Sequence, residues 1–224
     1  MFKSVIFDLD GTLVDSAPDI AEAANAAFAP LGVPAFPVDD IKAMIGGGSA
    51  VLIERAVKAA GLPATPESHA AILARFMSVY AEVSALGRGL YPGARELLTE
   101  LRAAGIKTAL CTNKPAPITT IAVRALGLEA LLDHVLGASD AIAKKPDPAM
   151  LHACCRAVGV QPREAVMVGD SGADNGAARA AGCKIVLVDF GYSKAPVASL
   201  GPDAIISHLS ELPATLKRMA ATGR

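Results

Sequence analysis

The chain has 224 residues, enough for one sizeable core or two small ones, and its 52% hydrophobic and 19% charged content excludes a disordered chain. The formal net charge is −1, with no basic block and no interleaving of aromatic and basic residues, which argues against a nucleic-acid partner. In chain order, "SVIF" is expected to be a buried strand that stops abruptly at Asp8-Leu9-Asp10. From about Asp15 to Leu86 only helical patterns follow: "SAPDIAEAANAAFAPLG", with a cap-like Ser16 and Asp19 three residues on, then "DDIKAMIGGG", "SAVLIERAVKAAG" and "PESHAAILARFMSVYAEV". "GRGLYPG" reads as the linker by which the chain returns. Strands "KTALC", "DHVLG", "AVMVG", "KIVLV" and "DAIIS" then alternate with helices "GARELLTELRAAG", "PITTIAVRALG", "PAMLHACCRAVG" and "GADNGAARAAG". These helices end at Gly105, Gly127, Gly159 and Gly182, residues suited to a helix C-terminus.

Alternating strands and helices predict a parallel sheet covered on both faces, a Rossmann-like α/β core. The helical block inserted after the first strand predicts a smaller cap domain. The expected division is a discontinuous core of residues 1–14 and 87–224, with the cap at 15–86. No uncharged stretch is long enough for a bilayer, and the N-terminus lacks the basic region, apolar run and cleavage site of a secretory signal. Cys111, Cys154, Cys155 and Cys183 show no zinc spacing and read as buried, reduced thiols. A cytoplasmic protein, monomer or homodimer, without a membrane or nucleic-acid partner, is expected.

Ligands of an open parallel sheet bind beyond the carboxyl ends of its strands. Asp8 and Asp10 follow the first strand, Thr112 and Asn113 the second, and Gly169, Asp170, Ser171 and Asp174 the strand "AVMV". A lone D-x-D can be a turn or a cap, "CTN" can cap a helix, and "KKPDP" can be a solvated turn. Together, in order and at strand ends, they predict one crevice. Asp8, Asp10 and Asp170 would form an oxygen-rich cluster suited to a hard cation, Mg²⁺ being the natural choice, and that cation offsets the repulsion within the opening pair. "GYSKAP" could flank the site but reads first as a surface turn, and His69, His134, His152 and His208 have no ligand spacing.

"DLDGTLVDS", "CTNK", "KKPDP" and "GDSGADNGAARAAG" resemble the four motifs of the haloacid dehalogenase-like hydrolases, and the resemblance spans nearly the whole chain. Within that superfamily "IGGG", "TNKP", "KPDP" and "PDAIISHLSELP" look most like the phosphoglycolate phosphatases. The resemblance implies that Asp8 is the nucleophile and forms an aspartyl-phosphate, with Asp10 as general acid and then base. It implies that Thr112 and Asn113 hold the phosphoryl oxygens. Lys145, or Lys144 in the neighbouring register, would hold the nucleophile and phosphate. Asp8, Asp170 and the Asp10 carbonyl would ligate Mg²⁺, with Asp174 supporting them from behind. Asp10 also favours a phosphate ester over a carbon–halogen or carbon–phosphorus bond. The substrate implied is a small phosphorylated metabolite, 2-phosphoglycolate first, with another small ester or a phosphosugar mutase reaction as the alternative. A catalytically dead binding protein would be expected to lack at least one of Asp8, Asp10, Lys145 or Asp170, and all are present. In the cap, Gly46, Gly47, Gly48 and Ser49 at the start of a helix are expected to offer free N–H groups to a substrate carboxylate.

Overall fold

In the computed structural model, which describes residues 1–222, a six-stranded parallel sheet forms the centre of the molecule. Its strands are β1 (Ser4–Phe7), β2 (Lys107–Pro115), β3 (His134–Ala138), β4 (Ala165–Gly169), β5 (Lys184–Val188) and β6 (Ala204–Ile206). They lie in the order β3-β2-β1-β4-β5-β6, so the topological switch falls between β1 and β4, a position that opens a crevice at their carboxyl ends.

Period-two alternation sends neighbouring side chains to opposite faces. Val5 and Phe7 of β1 join a core with Leu97, Leu98 and Leu101 of α5 (Ala94–Ala103) and Ala122 and Val123 of α6 (Ala116–Ala125). Ile6 points the other way, into a core with Met150 and Cys154 of α7 (Ala149–Val158) and Ala177 of α8 (Gly172–Ala181). A terminal helix, Leu212–Thr222, which the sequence reading did not anticipate, adds Leu212 and Leu216 to the first core. All four cysteines are buried and free. Among the described residues no helix is long and apolar enough to cross a membrane.

The block between β1 and α5 is helical: α1 (Ala17–Phe28), α2 (Val38–Lys42), α3 (Ser49–Ala59) and α4 (Pro66–Ser84). It has its own core, in which Ile20, Phe28, Ile53 and Phe76 pack, and Ile118 of α6 joins that cluster from below. The outgoing and returning chain segments run side by side, Asp15 N donating to Gly89 O at 2.7 Å and Tyr91 N to Leu13 O at 2.9 Å. Two local expectations fail. "DDIKAMIGGG" yields only the five-residue α2, because its glycines let the chain leave the helix. Ser16 does not cap α1: its side chain is buried without a hydrogen-bond partner, and Asp19 instead pairs with Arg88 at 2.7 Å.

Candidate active site

Asp8 continues the β1 ladder, its N–H donating to Val168 O at 2.9 Å, so its carboxylate stands at the rim of the sheet. Oδ1 accepts from Leu9 N at 2.8 Å and forms an ion pair with Lys145 Nζ at 3.0 Å, while Oδ2 has no partner among the described residues. Lys145 is buried, and its ammonium also donates to Asp174 Oδ1 (2.6 Å) and the Cys111 carbonyl (2.7 Å). These contacts hold Lys145 against Asp8 and Asp174, and Lys145 also lines the cavity. Lys144, in the neighbouring register, is exposed.

Asp174, 0% exposed, caps α8 as it anchors Lys145, its Oδ2 accepting from Ser171 N (3.1 Å) and Ser171 Oγ (2.6 Å). Asp170 has no ion pair among the described residues, and its Oδ2 accepts only from Tyr192 N at 2.6 Å. Carboxylate oxygens of Asp8, Asp170 and Asp174 lie within 4.8 Å of one another. Burial, helped by Asp174 and Asp10 and opposed by Lys145, pushes the Asp8 carboxyl up to about 6. Burial, then Asp174 and Asp8, push Asp170 well above the usual carboxylate range. Burial would lower the Lys145 ammonium, but Asp174 and Asp8 outweigh it and hold it above its ordinary value. Three carboxyl groups and one ammonium are thus gathered in a buried site. A hard divalent cation fits that donor set, and Mg²⁺ takes oxygen ligands of this kind.

The second strand contributes through an irregularity. β2 runs on to Pro115, but Thr112 pairs with Gly137 and Pro115 with Ala138, so Asn113 and Lys114 form a bulge. Bulges beside active sites re-aim side chains. Asn113 turns to the Lys145 backbone, its Nδ2 donating to Lys145 O (2.9 Å) and its Oδ1 accepting from Lys145 N (3.0 Å). Asn113 thereby positions the Lys145 backbone, and it also lines the cavity. Thr112 Oγ1 accepts from Lys114 N at 3.2 Å, which leaves its hydroxyl hydrogen for the cavity. Lys114 reaches Asp10 Oδ1 at 3.0 Å and the hydroxyl of Tyr80 on α4. Neither Lys114 nor Tyr80 was picked out as a site residue in the sequence, although Lys114 lies inside the motif "CTNK".

"GYSKAP" is not a mere surface turn. A Cβ on Gly191 would overlap Asp170 and lie 2.6 Å from Gly11 O, so glycine is needed for Tyr192 N to reach Asp170. The Tyr192 hydroxyl donates to Asp15 Oδ1 (2.6 Å) and accepts from Ala17 N (3.0 Å), linking this loop to the start of α1. The usable signal was its place after β5, at the same edge of the sheet. Overhead, Gly46, Gly48 and Ser49 line a cavity of about 70 Å³ between the helical block and the sheet. Gly47 does not line it; a Cβ there would meet Val51 at 2.9 Å, so this glycine serves the turn into α3. The four histidines lie outside the cavity lining.

The family model of the haloacid dehalogenase-like hydrolases matches residues 2–182. The chain belongs to that family. Phosphoglycolate phosphatases from Caulobacter vibrioides and Rhodospirillum rubrum are each 41% identical to this haloacid dehalogenase-like hydrolase, covering 94% and 95% of it and 89% and 90% of their own lengths. The crystal structure of a predicted phosphoglycolate phosphatase from Haemophilus somnus 129PT superposes with a TM-score of 0.90 at 33% identity, over 96% of this chain and 98% of that one. CbbY from Rhodobacter sphaeroides, in complex with xylulose-(1,5)bisphosphate, has a TM-score of 0.78 at 27% identity, over 95% and 96% of the two chains.

Proposed function

We propose that the protein is a cytoplasmic, Mg²⁺-dependent phosphatase that hydrolyses 2-phosphoglycolate through an aspartyl-phosphate on Asp8. The observation that carries the reading is the division of labour on Asp8: Lys145 and Leu9 N fix Oδ1, and Oδ2 is left free to attack phosphorus. Asp10 is arranged in the same way, with Oδ1 on Lys114 and Oδ2 unpartnered among the described residues. That second oxygen gives its proton to the departing alkoxide, then takes one from the water that cleaves the acyl phosphate. The Thr112 hydroxyl donates to a phosphoryl oxygen, and Lys145 keeps the nucleophile in line by its grip on Asp8 and Asp174. Asp8, Asp170 and the carbonyl of Asp10 would hold Mg²⁺, with Asp174 behind them. That ion would supply positive charge where negative charge gathers on the phosphoryl group.

Residues 15–86 act as a cap over a core formed by 1–14 and 87–224, closing to exclude water until the alcohol has left. In the present arrangement the cavity is small, about 70 Å³, which favours a small substrate. The relatives near 41% identity, all phosphoglycolate phosphatases by name, support the same choice. A panel of phosphate esters assayed for phosphate release, with Mg²⁺ and with chelator, tests the reading. 2-Phosphoglycolate should be turned over with the highest kcat/KM, chelation should abolish turnover, and Asp8→Asn should reduce it to background in a folded protein. Activity indifferent to chelator, or surviving Asp8→Asn, would overturn it.

A further inference from the structure

We propose that Lys114 reads the charged end of the leaving group, so that the enzyme selects short phosphate esters with a carboxylate beside the ester oxygen. The inference deepens the phosphatase reading above and rests on it. Lys114 is 5% exposed, with its ammonium 3.0 Å from Asp10 Oδ1, bonded to the Tyr80 hydroxyl and 4.1 Å from the centre of the Tyr80 ring. An ammonium has three N–H groups. Asp10 and Tyr80 take two, and the third has no acceptor among the described residues, although Lys114 lines the cavity. A buried charged donor without an acceptor is costly, so the vacancy calls for an acceptor from the ligand. Lys145, the other ammonium of the cavity, already has three oxygen neighbours, donating to Asp174 and the Cys111 carbonyl and forming an ion pair with Asp8 at 3.0 Å.

The position of the vacancy says what should fill it. Lys114 touches Asp10, the residue that protonates the ester oxygen. A carboxylate attached to the carbon next to that oxygen lies within reach of Lys114 when the ester oxygen is at Asp10. Beside Gly46, Gly48 and Ser49, the cap-side wall carries the apolar side chains of Ile20, Ile45, Leu52 and Phe76, so a carboxylate placed against them is desolvated and its attraction to Lys114 is strengthened. Tyr80 belongs to α4, so the orientation of Lys114 also requires a seated cap. Selection and closure then depend on the same contact.

The test compares 2-phosphoglycolate with ethyl phosphate, which has a methyl group in place of the carboxylate. Lys114→Met should lower the ratio of their kcat/KM values by about 10- to 100-fold, mainly through the KM for 2-phosphoglycolate. The ratio is taken within one preparation, so unfolded enzyme cancels from it, and Lys114→Gln provides a milder variant with the same expected direction. Equal losses on both esters would mean that Lys114 acts only by holding Asp10, and would overturn the proposal. A second measurement needs no turnover: calorimetric binding of 3-phosphonopropionate against propylphosphonate, with Mg²⁺ present. Wild type should prefer the carboxylated analogue, and Lys114→Met should erase that preference. If wild type shows the preference but does not hydrolyse 2-phosphoglycolate, the proposed activity falls and the role of Lys114 stands. A preference that survives Lys114→Met and disappears in Gly48→Ala, at φ +85°, would assign the carboxylate to the start of α3 and overturn the proposal.

Discussion

Replacing Asn113 by alanine should slow the enzyme through Lys145 and not through the phosphate. Its amide makes two buried hydrogen bonds to the Lys145 backbone, at 2.9 and 3.0 Å, and ties β2 to the loop that carries Lys145. Truncation leaves that N–H and C=O unpaired beside a residue only 4% exposed. At about 1–3 kcal/mol for each of the two buried groups left without a partner, the expected destabilisation is about 2–6 kcal/mol. Lys145 Nζ is 3.0 Å from Asp8 Oδ1, so a shift of its loop also loosens the nucleophile. A displacement of this kind should lower kcat by about 10- to 100-fold, with KM nearly unchanged. Asn113→Asp should be no better than alanine, because it keeps the acceptor for Lys145 N but turns a second acceptor towards Lys145 O. Urea unfolding, steady-state kinetics and inhibition by inorganic phosphate together read the outcome. An unchanged urea midpoint combined with weakened phosphate inhibition would refute the reasoning and put Asn113 on the phosphoryl group.

Asp10→Asn should be severe for 2-phosphoglycolate, whose alkoxide needs a proton, and milder for p-nitrophenyl phosphate in a single-turnover burst, where the leaving group needs little protonation. Equal losses in the burst would remove the acid role. Ser16→Ala should leave thermal stability unchanged or raise it, because the Ser16 hydroxyl is buried without a partner; a loss of about 1 kcal/mol, as for a working helix cap, would contradict this. At Asp203, burial pushes the carboxyl up, but Lys184, the Ile185 N–H and Arg179 outweigh it and hold it below 3.8. Its stabilising contribution is therefore present above that value and lost as the pH falls through the folded-state pKa. Asp203→Asn should be less stable than wild type near pH 7, and the gap should close in acid; a gap that persists at low pH would show that packing, not charge, is at stake.

The sheet was legible because a parallel strand buried on both faces is a continuous apolar run, and each such run in this chain is bounded by residues that end strands. The strands "SVIF", "AVMVG" and "KIVLV" lie where those runs lie, residue for residue. The same logic carried Asp8, Thr112 and Asp170 into one crevice, since Asp8 and Asp170 follow β1 and β4 and Thr112 is the last residue of β2 before its bulge. Ser16 misled because a capping pattern is local, and the Asp19–Arg88 pair, between residues 69 positions apart by number, draws Asp19 away from the cap. Lys114 was hidden for a different reason. Its direction depends on a bulge defined by how β2 pairs with β3, which β2 alone does not encode.

Lys114 and Tyr80 are 34 residues apart and meet only where the helical block sits on the sheet, with Ile118 of α6 packed into the core that contains Phe76 and Tyr80. The groups that break the bond are set by strand ends within the sheet; the groups that touch the leaving group are set by packing between two layers. Substitutions at that seam, such as Ile118→Ala, therefore act on the Lys114–Tyr80 contact while Asp8, Asp170 and Lys145 keep theirs. They should alter the choice between esters before they alter the rate on a tail-less one. A local pattern can disclose the first set of residues but not the second, because nothing within either segment records where the other will lie.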